Sequence, residues 1–270
     1  MREVTFGQYY PTTSFVHKMD ARVKILLSIA YIVAVFLIKE FYFYGFAVAG
    51  GFVLLTCIFS RVPILKVLRS IKVVIFFVVF SAVLQLFFNK EGTALVDYGI
   101  FYITDIGVKR ALFIILRIVL VVMGTSLLTL TTTPVELADG IESLLSPLKI
   151  IKFPAHEFAL IMSIALRFIP TLMEETDRII KAQKARGANF ESGNIFKRAK
   201  ALVPILVPLL IGSFRRADEL ADAMESRCYS GAKNRTKYKK QILSWRDFVA
   251  TLVVILLFFA ICYFNLWIVF

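Results

Sequence analysis

Long apolar runs separated by short polar segments make up most of the chain. A helix needs about 20 mostly apolar residues to cross the roughly 30 Å of hydrocarbon in a bilayer. Five runs predict such helices, at residues 23–38, 41–59, 73–88, 111–130 and 248–268. The pattern therefore predicts an all-α integral membrane protein of about five spans, four within residues 23–132 and the last within 247–270.

Between residues 133 and 246 the apolar runs give way to a segment rich in Lys and Arg with interspersed acidic residues. We expect a cytoplasmic domain of one short and two long crossing helices. The short helix has Thr133 as a capping residue, Pro134 at its first position and Glu136 in its first turn. It should end near Ser146, because Pro147 follows.

The two long helices of this domain each run from an apolar beginning to a polar end. The first extends from Ala155 to Arg186, with Gly187 as its C-terminal stop. The second combines an apolar half at residues 201–214 with a polar half at 215–227. Both predicted helices therefore place their charged ends away from their apolar beginnings.

The apolar halves, residues 158–173 and 201–214, could instead be two further membrane spans. Both are short for a span, and Pro170, Pro204 and Pro208 interrupt them. We therefore expect amphipathic or partner-buried helices at the cytoplasmic face. The alternative stays open, because two added spans would leave the predicted orientation of the other spans unchanged.

Composition supports the membrane assignment and sets the expected orientation. The chain is 59% hydrophobic, with a mean hydropathy of +0.76 and a formal net charge of +13. Lys and Arg concentrate in the cytoplasmic loops of membrane proteins. Here they precede the first span and fill the loop between the second and third spans: Lys18, Arg22, Lys24, Arg61, Lys66, Arg69 and Lys72. We expect residues 1–22 to be cytoplasmic or interfacial, the C-terminus to lie outside a bacterial cytoplasmic membrane, and no binding to nucleic acid.

The sequence has few residues that could support metal-dependent or hydrolytic chemistry. The histidines, His17 and His156, are far apart, and Cys57, Cys228 and Cys262 show no ligand spacing. The phosphate-binding pattern G-x-x-x-x-G-K-[ST] is absent, so the chain cannot be its own ATPase. We expect a non-catalytic protein that binds no cofactor or metal and takes energy from partners.

Three polar residues near the apolar runs have structural explanations. Asp20 precedes the first predicted span and is suited to cap it. His17 is expected at the level of the lipid headgroups. Arg117 lies within the fourth apolar run, where an ionisable residue suggests function by default. We favour a structural role in which its side chain reaches a partner group or the interface.

The two long helices both end in a small residue, an arginine and another small residue, Ala185-Arg186-Gly187 and Ser226-Arg227-Cys228. A cation near a helix C-terminus complements the macrodipole, which is the simple explanation for one such arginine. The macrodipole does not explain the small neighbours, which leave the guanidinium unobstructed and let a partner approach the backbone. The guanidinium fork fits a groove lined by carboxylates.

Together with three longer segments, these triplets resemble the transmembrane coupling (T) component of energy-coupling factor transporters. The segments are FGQYYPTTSFVHKMDARVK at residues 6–24, PVELADGIESLLSPL at 134–148 and ALRFIPTL at 165–172. The resemblance covers nearly the whole chain. Each arginine triplet alone is a weak signal for the family, but the triplets and the three segments in this order are a specific one. The second triplet has Ser and Cys where Ala and Gly are commoner in the family.

The resemblance implies a function in coupling. Arg186 would enter one ABC-type ATPase subunit and Arg227 another, with Ala185, Gly187, Ser226 and Cys228 as permissive neighbours. The apolar halves of the long helices would hold a membrane-embedded substrate-binding (S) subunit that imports vitamins or other micronutrients. ATP and Mg²⁺ would bind only to the ATPases. The alternatives are a standalone membrane carrier or channel and an intramembrane enzyme, and the spans offer few polar groups for either.

Overall fold

The structure, a computed structural model, describes residues 9–39, 42–88, 92–98, 101–145, 155–188, 190, 195–231 and 243–267. In this part of the chain there are eight helices and one antiparallel hairpin. Their bounds are α1 Ala21–Phe36, α2 Phe43–Ser60, α3 Ile64–Phe88, β1 Ala94–Tyr98, β2 Phe101–Thr104, α4 Asp105–Thr131, α5 Pro134–Leu145, α6 Ala155–Ala185, α7 Ile195–Glu225 and α8 Trp245–Trp267.

The chain divides into two compact units. The first contains α6 and α7. The second contains residues 5–144 and 241–270, with the other helices and the hairpin. The cytoplasmic domain predicted at 133–246 thus includes α5, which the structure groups with the apolar helices.

In the second unit α1, α2 and α3 pack against α4, and α8 packs against α1 and α2. Gly124 on α4 allows close contact with α1, because a Cβ there would overlap the ring of Tyr31. The Tyr31 hydroxyl donates to the carbonyl oxygen of Leu120 at 3.1 Å. Small residues at helix contacts are typical of membrane proteins, in which van der Waals packing and hydrogen bonds hold helices together.

The prediction of five spans is not confirmed in its detail. By length and composition, three described helices can cross a membrane: α2, α4 and residues Trp245–Tyr263 of α8. The segments Ile64–Lys72 and Val74–Phe88 of α3 meet at 61° and make a fourth span if taken together. Helix α1 has 16 residues and is therefore ~24 Å long, short of the hydrocarbon thickness.

A short hairpin is the one addition to the expected all-α fold among the described residues. Strands β1 and β2 lie in the connection between α3 and α4, with Ala94 opposite Thr104 and Tyr98 opposite Phe101. Valine, tyrosine, phenylalanine and isoleucine favour strands here. Helix α4 then begins six residues before the predicted start at 111, so Lys109 is part of the helix and pairs with Asp105 at 2.9 Å.

Helix α5 confirms its predicted start. The backbone N–H of Glu136 donates to the Thr133 hydroxyl at 3.3 Å, and the Glu136 carboxylate accepts from the backbone N–H of Thr133 at 3.2 Å. This reciprocal pair is a capping box. Gly140 faces α1, where a Cβ would lie 3.2 Å from the Cβ of Ala21.

Helices α6 and α7 contact each other within the first unit, and each has 31 residues. Helix α6 begins at the predicted Ala155 and ends at Ala185, one residue before the predicted Arg186, whereas α7 begins at Ile195, before the predicted apolar half at 201. Prolines lie inside both helices: Pro170, Pro204 and Pro208. Neither helix meets the length and composition criterion that identifies the spans in the described residues.

Candidate functional site

Helix α6 ends in a cap built around Gly187. The Gly187 N–H donates to the Lys184 carbonyl at 3.0 Å, and the Ala188 N–H donates to the Gln183 carbonyl at 3.0 Å. Gly187 has φ = +86°, the left-handed conformation that glycine adopts without steric cost. These features define a Schellman motif, in which Arg186 is the last residue before the glycine.

Helix α7 ends in the same motif. The Cys228 N–H donates to the Glu225 carbonyl at 2.8 Å, and the Tyr229 N–H donates to the Met224 carbonyl at 3.0 Å. Cys228 takes the left-handed position with φ = +57°, although it carries a side chain. Arg227 therefore occupies the position in this cap that Arg186 occupies in the first.

All six residues of the two triplets are exposed. In the described part of the chain, neither Arg186 nor Arg227 forms an ion pair. A Cβ at Gly187 would meet no atom within 4 Å, so the surface beside Arg186 is open. The structure thus presents two unobstructed guanidinium groups on backbones of matching geometry.

The two caps should respond oppositely to exchanging their left-handed residues. Cys228→Gly removes the cost of a side chain in this conformation and should stabilise the end of α7 by about 1 kcal/mol. Gly187→Cys should destabilise the end of α6 by a similar amount. Hydrogen exchange of the amides in the last turn of each helix measures both effects.

A matched control is Ser226→Ala, two residues before the left-handed residue of α7. It changes an exposed side chain without altering the backbone conformation that the cap requires. Equal exchange rates for wild type and Cys228→Gly would contradict the conformational explanation.

Further back along the two helices, Glu175 of α6 forms an ion pair with Arg216 of α7. The two side chains are 26% and 27% exposed, so water screens this pair less than a surface pair. Gly212 makes room for it, since a Cβ there would lie 2.9 Å from Oε1 of Glu175. This ion pair joins the two helices behind their arginine ends.

A network of polar groups holds the N-terminal segment of the second unit. The Asp20 carboxylate accepts from the Arg22 N–H at 2.9 Å, which confirms Asp20 as the cap of α1. The Asp20 N–H donates to the Asp247 carboxylate at 2.9 Å, and Lys24 donates to the carbonyls of His17 and Thr131.

His17 belongs to the same network. Its Nε2 lies 2.9 Å from the Tyr10 carbonyl, and its Nδ1 lies 2.7 Å from the Ser14 hydroxyl. Burial lowers the pKa of His17 below its ordinary value, against the raising effect of the Tyr10 carbonyl, and the Lys24 ammonium lowers it further. The ring is therefore neutral at pH 7 and serves as a structural hydrogen-bonding group.

Arg117 has the structural role expected from the sequence. Its Nη2 donates to the Ile38 carbonyl at 2.6 Å, just beyond the end of α1. Its guanidinium lies 4.6 Å from the centre of the Phe113 ring. A cation at this helix end satisfies a terminal carbonyl inside an apolar unit.

An apolar cavity of about 600 Å³ lies in the second unit between α1, α2, α4 and α8. Lys24 borders it, but the ammonium is already bonded to two carbonyl oxygens. Among the described residues there is also no cluster of His, Cys, Asp or Glu able to hold a metal ion. The side chains that line the cavity are mostly apolar.

The sequence did not single out Asp247, Glu175 or Arg216. Asp247 reads as an ordinary first-turn acid of α8, and the pairing of Glu175 with Arg216 joins residues 41 positions apart. Arg186 and Arg227 are also 41 positions apart, and this shared interval was a usable signal for the pairing of Glu175 with Arg216.

Comparison with known proteins assigns a family to this arrangement. The family CbiQ, described as "Cobalt transport protein", matches residues 12–238. A protein of Clostridium kluyveri is 50% identical over 258 residues, 95% of each chain, and one of Bacillus subtilis is 45% identical over 263 residues, 96% of this chain and 98% of its own. One of Thermosediminibacter oceani is 49% identical over 250 residues, 93% of each chain. All three are named "Energy-coupling factor transporter transmembrane protein EcfT". The chain belongs to the CbiQ family, together with these EcfT relatives.

Family membership confirms the resemblance found in the sequence. The chain is a transmembrane (T) component of an energy-coupling factor transporter and is itself a non-catalytic subunit. Its apolar helices agree with a multi-pass membrane protein.

Proposed function

We propose that the chain transmits motion from two ABC-type ATPase subunits to a membrane-embedded S subunit. Arg186 enters a groove of one ATPase and Arg227 a groove of the other. Their small neighbours let the groove walls approach the helix ends: Ala185, Gly187, Ser226 and Cys228. The ATPases bind ATP and Mg²⁺, and this chain binds neither.

The observation that supports this proposal is the repetition of one cap with an exposed arginine at the same position. The macrodipole alone explains a cation at a helix end. It does not require small neighbours or a guanidinium that is unpaired within the described chain. A planar fork of donors at a fixed backbone position is suited to bidentate pairing with a carboxylate of a partner.

The apolar halves of α6 and α7 are the proposed contact for the S subunit. In α7 several large apolar side chains are more than half exposed: Leu206, Leu210, Ile211 and Phe214. An apolar surface of this kind marks a contact with a protein or a membrane. By resemblance, the S subunit selects a vitamin or another micronutrient, so this chain transmits motion without choosing the substrate.

The proposed site of action is a bacterial cytoplasmic membrane, with the N-terminus and the arginine ends on the cytoplasmic side. The basic residues around α1 and between α2 and α3 support this orientation. The C-terminus then lies outside.

Co-purification tests the proposal. The tagged chain is co-expressed with the ATPases and an S subunit of the same genome, purified in mild detergent, and compared with the double variant Arg186→Glu, Arg227→Glu. Wild type should recover both ATPases and the variant neither. Loss of one partner of a buried charge pair weakens binding by about 30-fold to several thousand-fold.

The matched control is Lys200→Glu, Arg215→Glu, which makes the same charge change at two exposed residues of α7 outside the caps. It should recover ATPases as wild type does. Equal recovery by the arginine double variant, or no ATPase with wild type, would reject the proposal that the arginine ends dock on ATPase subunits.

A further inference from the structure

The two arginine ends share a backbone geometry but carry opposite charge. The ten residues that end at Arg186 contain four basic residues and one acidic residue, a net charge of +3. The ten that end at Arg227 contain four acidic residues and one basic residue, a net charge of −3. All ten charged residues are exposed: Asp177, Arg178, Lys181, Lys184, Arg186, Asp218, Glu219, Asp222, Glu225 and Arg227.

The inversion occurs at equivalent positions. Five residues before its arginine, α6 has Lys181 and α7 has Asp222. Two residues before, α6 has Lys184 and α7 has Glu225. Because both helices end in the same motif, these pairs of side chains leave the helix at the same place relative to the arginine.

Helix stability accounts for the charges of α6 but not for those of α7. Cations in a last turn complement the macrodipole, whereas Asp222 and Glu225 oppose it. In the described part of the chain, no ion pair engages either acidic residue. Two unpaired, exposed carboxylates at an unfavourable helix end indicate a partner of complementary charge.

We propose that these flanking charges direct each arginine to a different ATPase subunit. Lys181 and Lys184 select a groove whose rim is acidic. Asp222 and Glu225 select a groove with a basic rim around the carboxylate that receives Arg227. If a helix end docks in the wrong groove, like charges meet and the free energy of that complex rises. The flanking charges therefore specify partners by repulsion as well as by attraction. This inference rests on the proposed function, since it requires both ends to dock on ATPases.

Site-specific crosslinking tests the assignment in the full complex. A photo-reactive amino acid is placed at Ala182 or at Ala223, which are exposed and occupy equivalent positions four residues before the two arginines. In the wild-type background, Ala182 should crosslink mainly to one ATPase and Ala223 mainly to the other.

The decisive variant exchanges the flanks: Lys181→Asp, Lys184→Glu, Asp222→Lys and Glu225→Lys, with both arginines retained. The ratio of the two crosslinked ATPases at each position should change by about tenfold or more, toward the opposite partner. Raising the salt concentration should reduce the wild-type preference, because these charges are exposed and therefore screened.

The matched control keeps every charge and changes every side chain: Lys181→Arg, Lys184→Arg, Asp222→Glu and Glu225→Asp. It should crosslink as wild type does. A wild-type partition that survives the exchange, or crosslinks from both positions to the same ATPase, would overturn this inference and leave the proposed function standing. No crosslink to an ATPase from either position would reject both.

Discussion

Arg216→Glu should weaken the contact between the two long helices and lower transport while the chain stays in the membrane. It places two carboxylates together where Glu175 and Arg216 now pair, each about a quarter exposed. The loss should be about 1–3 kcal/mol in the contact between α6 and α7. ATP hydrolysis should continue in the assembled transporter, because the arginine ends remain, but substrate uptake should fall. Thermal unfolding of the purified chain and uptake into vesicles measure the two effects.

The reversed pair, Glu175→Arg with Arg216→Glu, is the matched control. It restores opposite charges at the same two positions and should recover most of the lost stability and uptake. Additive losses in the double variant would show that the two side chains do not interact, and the ion pair would then have no part in joining the helices.

Asp247→Ala should lower the stability of the second unit by about 2–4 kcal/mol, because two backbone donors lose their acceptor. Asp247 is only 3% exposed, and its carboxylate accepts hydrogen bonds from the N–H groups of Asp20 and Ser244 at 2.9 and 2.7 Å. It therefore caps α8 and ties the start of α1 to it. The thermal midpoint in detergent should fall, and the amide of Asp20 should exchange faster.

Asp247→Asn is the graded control, since the amide oxygen can still accept one of the two hydrogen bonds. Its loss should lie between those of wild type and Asp247→Ala. An alanine variant as stable as wild type would mean that water replaces the carboxylate without cost.

Local signals in the sequence predicted local structure well. Thr133 with Pro134 and Glu136 specified the beginning of α5, and Gly187 specified the end of α6, because caps depend on a few adjacent residues. The left-handed Cys228 was not predicted, since nothing in its own residue type favours that conformation.

Contacts between residues far apart in the chain could not be predicted from the sequence. Asp20 and Asp247 are 227 positions apart, and neither residue type indicates the other as a partner. The hairpin escaped prediction because its strands, of five and four residues, are too short for a clear alternation. Apolar runs located the helices, but they do not reveal where α3 bends or how far α4 extends.

The equal lengths of α6 and α7 constrain how such a chain can vary. Each residue of an α-helix turns the direction of the next side chain by about 100° and moves it 1.5 Å along the axis. A single deletion within either 31-residue helix, between the Glu175–Arg216 contact and the cap, would therefore rotate one arginine away from its docking direction. Two deletions would still leave it misdirected, whereas three or four, close to one full turn, would return it nearly to the original face. Length changes in these segments should accordingly be tolerated in whole turns or not at all.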